Sequence, residues 1–269
     1  MNITFIGGGN MAAALIGGMT RSGFAATNIT VVEPFAASRE KLAGDFGVTC
    51  HPAAAAFLGA ADLIVMAVKP QNMREAAQSL VPYLGKQTVL SIAAGTRLTD
   101  LSRWLGGHAK LVRCMPNTPA LIGKGVTGMF ASGVDAAERE GAERVIRAVG
   151  SVVWVASEAL LDPVTAVSGS GPAYVFYFLE AMQEAGVKLG LPPGVVKQLA
   201  LDTFQGAAQL AATSPDDFAT LRAKVTSKGG TTEAALKVMQ ERDIKAAIVS
   251  ALEAASSRGR ELGELLGKD

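Results

Sequence analysis

The fold of this chain is decided by the stretch Asn2-Ile3-Thr4-Phe5-Ile6-Gly7-Gly8-Gly9-Asn10-Met11-Ala12. An apolar run of β-forming residues ends at three glycines, and a run of small, helix-forming residues begins at Ala12. The pattern predicts a strand, a tight turn and a helix. Gly7, Gly9 and Ala12 fit the G-x-G-x-x-G/A pattern, in which glycines shape the turn and leave room for a pyrophosphate at the helix N-terminus.

Any tight turn between a strand and a helix can use glycine, so the surrounding sequence has to decide whether this turn binds a dinucleotide. A second apolar strand at 29–32 ends at Glu33, 21 residues after Ala12, where a ribose-binding acid is expected. Such an acid favours NAD because it repels a 2′-phosphate. Arg39, a cation in the first turn of the next helix, argues for NADP. We therefore predict a dinucleotide site, with both residues as candidate cofactor ligands.

The composition is that of an ordinary globular protein. Lys and Arg number 25 and Asp and Glu 24, so the formal net charge of +1 is too small to attract nucleic acid or an acidic membrane. The two cysteines and two histidines lack the spacing of zinc ligands or of a disulfide framework, so we expect no metal and a reducing compartment. The first strand leaves no room for a signal peptide, and no apolar run reaches the ~20 residues of a membrane span, which predicts a cytoplasmic protein.

Up to residue 157 the sequence alternates between helical and extended patterns. Helices are predicted at 38–46, 52–58 and 136–149, and further strands at 48–50, 63–68, 88–92, 110–114, 125–131 and 151–155. The strand at 63–68 is apolar throughout, as in a parallel sheet that is covered on both faces. We predict an α/β fold whose domain 1–157 is a Rossmann-type, doubly wound parallel sheet.

Three successive strands of this half end in irregular segments with special backbone residues. These segments are Lys69-Pro70-Gln71, Ala93-Ala94-Gly95 and Met115-Pro116-Asn117-Thr118-Pro119. Ligands of open parallel sheets bind at the carboxyl ends of the strands. We therefore expect the three segments to line one crevice with the glycine turn, although α/β proteins need turns at these places in any case.

The second half, residues 158–269, is predicted to be all-helical. Amphipathic patterns run through 172–189, 193–212, 216–225, 232–242 and 244–266. The first of these helices is apolar on nearly every face, which a second subunit could bury, so we expect a homodimer.

Two stretches of the helical half break the pattern. One is Ser168-Gly169-Ser170-Gly171, and the other is Thr226-Ser227-Lys228-Gly229-Gly230-Thr231-Thr232-Glu233. The second can supply backbone N–H groups and hydroxyls to an anion such as a carboxylate. It can equally be a helix start at which Thr231 or Thr232 caps the helix with a following acid. The residue types leave both interpretations open.

Six motifs, in order along the whole chain, resemble those of pyrroline-5-carboxylate reductases. They are Ile6–Ala12, Ala67–Gln71, Ser91–Gly95, Arg113–Ala120, Val167–Tyr174 and Gly229–Thr232. The resemblance implies a Rossmann domain, a helical dimerisation domain and reduction of Δ1-pyrroline-5-carboxylate to L-proline. It also implies NADPH as cofactor, with NADH as an alternative. In the family, dimers assemble further into a decamer of five dimers.

The resemblance assigns residues to two sites. The cofactor residues that it implies are Ile6, Gly7, Gly8, Gly9, Asn10, Met11, Ala67, Val68, Lys69, Pro70, Ala93, Ala94, Gly95 and Asn117. The substrate loop, contributed by the partner subunit, is Ser227, Gly229, Gly230, Thr231 and Thr232. The family usually has proline before the glycine pair, and Lys228 stands there instead.

The residue types suit the reduction of a cyclic imine, which needs alignment with a hydride donor more than a strong base. We predict that Ser227 and loop N–H groups hold the carboxylate and that the Thr232 hydroxyl bonds the ring nitrogen, with the proton coming from solvent or substrate. One alternative is a reductase of β-hydroxyacids or acyclic imines, for which Lys188 or Lys197 would be the active lysine. Another is a dinucleotide sensor.

Overall fold

The structure is a computed structural model and describes residues 1–268. Eight strands form one sheet: β1 (Ile3–Ile6), β2 (Ile29–Val32), β3 (Thr49–His51), β4 (Leu63–Met66), β5 (Thr88–Ser91), β6 (Leu111–Met115), β7 (Gly125–Ser132) and β8 (Gly150–Trp154). Their order across the sheet is β3-β2-β1-β4-β5-β6-β7-β8. All neighbours are parallel except β6 and β7.

Helices lie between most of the strands and after the last of them. They are α1 (Asn10–Arg21), α2 (Ala36–Phe46), α3 (Met73–Leu80), α4 (Leu98–Trp104), α5 (Ala136–Arg147), α6 (Leu161–Val164), α7 (Gly171–Lys188), α8 (Pro193–Thr213), α9 (Phe218–Lys224), α10 (Thr231–Glu241) and α11 (Ile244–Leu266). A π-helical turn spans Thr165–Gly169, between α6 and α7. In the described part of the chain, no helix is long and apolar enough to cross a membrane.

The carboxyl ends of the central strands are aligned by their register. Ile6 at the end of β1 lies opposite Val32 of β2 and Met66 of β4. Met66 in turn lies opposite Ser91 of β5, which pairs with Arg113 of β6. The segments that follow these strands therefore begin at one edge of the sheet, as predicted.

The sheet buries apolar side chains on both faces, because successive residues of a strand point to opposite sides. Phe5 of β1 packs in the cluster that includes Leu15 of α1 and Val145 of α5. Its neighbour Ile6 packs in the cluster that includes Met73 of α3 and Trp104 of α4. Helices on both faces of a mainly parallel sheet confirm the predicted doubly wound fold.

The prediction of individual elements was wrong in a few places. The third strand is Thr49–His51 rather than 48–50, and the segment predicted as a helix at 52–58 contains only a 3₁₀ turn, Ala56–Ala60. Helices α3 and α4 were not predicted. Both carry apolar residues at helical spacing, for example the buried Met73, Ala77 and Leu80 of α3. The last two strands complete the sheet, but they run against the first six.

The chain forms two compact units. One consists of residues 1–170 together with the residues from Glu253 onwards, and the other of residues 171–252. This division lies after the predicted boundary at 157, because α6 packs against β6 and β7. The end of α11 belongs to the first unit, where Arg97 Nη2 lies 3.6 Å from Glu264 Oε1 and Arg103 donates to the carbonyl oxygen of Gly267 at 2.9 Å.

Candidate active site

The glycine loop begins with Gly7, directly after β1. Its φ of +98° lies in the region that only glycine adopts readily. A Cβ at this position would lie 2.7 Å from the carbonyl oxygen of Ala67, while the Gly7 N–H donates to the Val32 carbonyl at 2.8 Å. Gly7 therefore makes the turn and lets the ends of three strands approach each other closely.

Gly9 precedes α1 and leaves the N-terminus of that helix open. No side chain caps the helix, its first turn contains no acidic residue, and a Cβ on Gly9 would meet no atom within 4 Å. The first N–H groups of a helix have no intrahelical partner, and they carry the positive end of its dipole. The start of α1 at Asn10 and Met11 therefore has the geometry and charge to hold a pyrophosphate.

The segments after β4 and β5 flank this loop. Ala67 follows β4 and donates its N–H to the Ile6 carbonyl at 2.8 Å, so that the Ala67–Pro70 segment starts beside the glycine turn. After β5, Ala93 is buried and Gly95 has a φ of +77°. The structure brings these predicted residues to the edge at which β1 ends. Their contacts with ribose and nicotinamide stay predictions.

Glu33 and Arg39 lie at the end of β2 and in the first turn of α2. The Glu33 carboxylate is buried and accepts two backbone hydrogen bonds, from Gly8 N–H at 2.8 Å and from Phe35 N–H at 3.0 Å. Arg39 is half-buried and donates to the Glu33 and Pro34 carbonyl oxygens. Both charges act on Cys50 of β3. Burial raises the pKa of its thiol above the ordinary value; the Arg39 charge partly offsets this rise, and the Glu33 charge adds to it.

Asn117, after β6, uses both ends of its side-chain amide inside the first unit. Its Oδ1 accepts from Val126 N–H at 3.0 Å, and its Nδ2 donates to the Ser168 carbonyl at 3.1 Å. The side chain thus joins β7 to the π-helical turn Thr165–Gly169. Such turns are rare and are frequent at functional sites. The sequence indicated an interruption at Ser168 but not its π-helical form, and the predicted place of Asn117 beside nicotinamide stays a prediction.

Arg113 forms a buried ion-pair network that sequence reasoning missed. Its side chain is 6% exposed, and it lies 2.9 Å from Glu158 Oε1 and 3.7 Å from Asp162 Oδ1. The same Glu158 oxygen accepts the Leu98 N–H at 2.8 Å. An arginine within an otherwise apolar strand was the available signal, because a buried charge needs partners.

The predicted substrate loop lies in the second unit, before α10. Gly229 has a φ of +72°, and its N–H donates to Glu233 Oε2 at 2.6 Å. Gly230 precedes the helix and no side chain caps it, so the interpretation of Thr231 or Thr232 as the cap is wrong. Both threonines lie in the first turn of α10, where Thr231 is exposed and Thr232 half-buried.

Comparison with known proteins places this arrangement in a family. The pyrroline-5-carboxylate reductase of Pseudomonas aeruginosa is 47% identical over 268 residues, which cover 99% of this chain and 98% of that protein. The chain belongs to the pyrroline-5-carboxylate reductase family. The family described as pyrroline-5-carboxylate reductase dimerisation matches residues 158–262, and the one described as NADP oxidoreductase coenzyme F420-dependent matches residues 2–95.

Solved structures of pyrroline-5-carboxylate reductases are also similar to the chain. The one from Coxiella burnetii is 39% identical with a TM-score of 0.90, covering 97% of this chain and 98% of that one. The one from Plasmodium falciparum, solved with NADP bound, is 28% identical with a TM-score of 0.87, covering 98% of each chain. The resemblance stated from the motifs is confirmed, and with it the predicted fold class.

Proposed function

We propose that this protein reduces Δ1-pyrroline-5-carboxylate to L-proline, the last step of proline biosynthesis, with a reduced nicotinamide dinucleotide. The observation that carries the proposal is the 47% identity to a pyrroline-5-carboxylate reductase along 99% of the chain. A match of this extent covers both the glycine loop and the threonine-bearing loop, which supports assigning the cofactor site to the one and the substrate site to the other.

The preferred cofactor in this proposal is NADPH, with NADH as the alternative. The first unit fits a dinucleotide, because the open N-terminus of α1 offers N–H groups to a pyrophosphate beside the space at Gly9. Ile6 to Met11 would hold the pyrophosphate. Ala67–Pro70, Ala93–Gly95 and Asn117 would surround ribose and nicotinamide. When bound, NADPH supplies the hydride.

The chain's own residues mainly align the substrate. Ser227 and the N–H groups of the glycine pair would hold the carboxylate, and the Thr232 hydroxyl would bond the ring nitrogen. The Gly229 N–H is occupied by Glu233, so a substrate carboxylate would have to displace that side chain to use it. Lys228 of this loop is exposed, and it would either attract the substrate carboxylate or only add a charge at the rim of the site.

In our proposal the enzyme is a homodimer and the substrate loop comes from the partner subunit. The second unit exposes large apolar side chains, among them Phe176, Tyr177, Leu199, Leu210 and Phe218. An apolar surface of this kind is typical of a protein interface. Five dimers would assemble further into a decamer. The enzyme would be located in the cytoplasm. Light scattering distinguishes monomer, dimer and decamer by mass.

The direct test is NADPH oxidation followed at 340 nm with pyrroline-5-carboxylate, together with Thr232→Ala and Thr232→Ser. Loss of a hydrogen bond to the ring nitrogen should lower turnover of Thr232→Ala roughly 10- to 100-fold, while NADPH affinity stays unchanged. Thr232→Ser keeps the hydroxyl and should retain most of the turnover. Full turnover in Thr232→Ala would reject the role of this residue.

Lys188→Met serves as the control for the rival reductase. Lys188 is exposed and pairs with Glu184 on α7, so its removal should leave turnover unchanged. Loss of turnover in that variant would show that the reduction depends on Lys188, as the rival lysine-dependent mechanism requires. No oxidation of NADPH or NADH with pyrroline-5-carboxylate would reject the proposed activity itself.

A further inference from the structure

Glu33 occupies the position at which dinucleotide-binding proteins commonly hold an acid for the ribose hydroxyls. Here both carboxylate oxygens are engaged by backbone N–H groups, one on each side of the β2 end. The residue is 7% exposed. A carboxylate that accepts two N–H bonds within the protein is directed toward the glycine loop, and it has less capacity to accept bonds from a sugar.

The glycine loop is shaped around this carboxylate. A Cβ on Gly8 would lie 3.3 Å from both Cγ and Oε2 of Glu33, and 2.6 Å from Leu42 Cδ1. Glycine at the middle position of the loop therefore makes room for Glu33 and α2. The hydrogen bond from Gly8 joins the loop after β1 to the turn after β2.

Arg39 stabilises the same turn from its other side. Its Nη1 donates to the carbonyl oxygens of Glu33 at 2.8 Å and Pro34 at 2.7 Å. Both bonds come from one nitrogen, so Nη2 and Nε remain as donors on a half-buried guanidinium. A guanidinium fixed in this way suits a phosphate group, which it can bind with two parallel hydrogen bonds.

We propose that Glu33 is a positioning residue, which holds the glycine loop in the shape that binds either dinucleotide, and that Arg39 determines the preference for a 2′-phosphate. The inference rests on the proposed use of NADPH. In this arrangement the acid at the end of β2 does not select NAD, because both of its oxygens are already engaged by the Gly8 and Phe35 N–H groups and face the loop rather than a ribose. It supports the pyrophosphate end of either cofactor equally.

Glu33→Gln tests the positioning role. Glutamine keeps the shape but replaces one acceptor oxygen by an NH₂ group, which would face the N–H of Gly8 or Phe35. We expect dissociation constants for NADPH and NADH to rise together, each on the order of tenfold, in fluorescence titrations without substrate. The melting temperature of the cofactor-free protein should fall as well, because two backbone hydrogen bonds are weakened.

A ribose ligand would behave differently. If Glu33 binds the ribose hydroxyls, Glu33→Gln should weaken NADH selectively and leave NADPH unchanged or bound more tightly. That result would overturn the proposal. Should Glu33→Gln fail to fold, Glu33→Asp provides the same comparison, since its shorter side chain weakens the two bonds without adding a donor. Equal losses for both cofactors support positioning, and a selective loss of NADH rejects it.

Arg39→Met is the second variant of the test. It removes the guanidinium and keeps an unbranched apolar side chain. It should raise the NADPH dissociation constant at least about tenfold and the NADH dissociation constant by clearly less, because only the loss of the two carbonyl bonds to the turn affects both cofactors. Equal effects on both cofactors would contradict the assigned role of Arg39. Because these titrations need no substrate, their result is independent of whether the enzyme reduces pyrroline-5-carboxylate.

Discussion

Substitution of Gly7 by alanine tests the close approach of β1 and β4. Gly7 has a φ of +98°, and a Cβ there would lie 2.7 Å from the Ala67 carbonyl oxygen. An unfavourable backbone conformation costs about 1–3 kcal/mol, and overpacking adds about 1–3 kcal/mol. The clash involves a backbone atom that no side-chain rotation can relieve. We therefore expect the free energy of unfolding to fall by roughly 2–6 kcal/mol, a melting-temperature loss on the order of 10 °C.

Gly9→Ala is the matched control for this prediction. Gly9 has a φ of −71°, which alanine adopts without strain, and its Cβ would meet no atom within 4 Å. Stability should change by less than about 0.5 kcal/mol. The added methyl group enters the space assigned to the pyrophosphate, so the NADPH dissociation constant should rise about tenfold or more.

Both variants are measured by thermal unfolding without cofactor, at one protein concentration, and by NADPH fluorescence titration. The expected pattern is a stability loss confined to Gly7→Ala, with a loss of NADPH affinity in Gly9→Ala at unchanged stability. Equal melting temperatures for the two variants would refute the packing argument. Unaltered affinity in Gly9→Ala would refute the position of the pyrophosphate.

Two further substitutions test contacts of the first unit. Asn117→Asp keeps the acceptor for Val126 N–H and loses the donor to the Ser168 carbonyl, so urea unfolding should show a loss of about 1–3 kcal/mol. Hydrogen bonds from Trp154 and Arg147 lower the pKa of Glu143. The ionised carboxylate therefore stabilises the folded protein at pH values above the ordinary carboxyl pKa of about 4.3, and this stabilisation is lost as the pH falls below that value. Glu143→Gln should therefore flatten the decline of the urea midpoint between about pH 5 and 3.5; an unchanged slope would contradict that contribution.

Most of the fold of the first unit could be predicted because its signals are local. Apolar strands, helical spacing and the glycine turn each follow from neighbouring residues, and the parallel arrangement follows from their alternation. The same reasoning predicted that the segments after successive strands begin at one edge of the sheet, which the register confirms. Element bounds near Thr49 and Ala56 were less accurate, because short segments carry weak periodicity.

Contacts between distant residues could not be predicted in this way. Arg113 gave no indication that its partners are Glu158 and Asp162, because those residues come after two further strands. The direction of the Glu33 side chain likewise depends on a loop about 25 residues earlier in the chain. Sequence pattern identifies the residue types of a site, while the tertiary fold decides which atoms they face.

The ion-pair network around Arg113 sets a limit on how this protein can be divided into exchangeable modules. A fragment that ends at residue 157 would contain the buried guanidinium of Arg113 but neither of its carboxylate partners, Glu158 and Asp162. The Leu98 N–H would also lose Glu158 as its acceptor. Recombination with a related reductase would preserve these contacts with a junction after Ser170, and a second junction near Glu253 would also keep the pair of Arg97 with Glu264. Along the chain, residues 171–252 are therefore an insertion between two parts of the first unit.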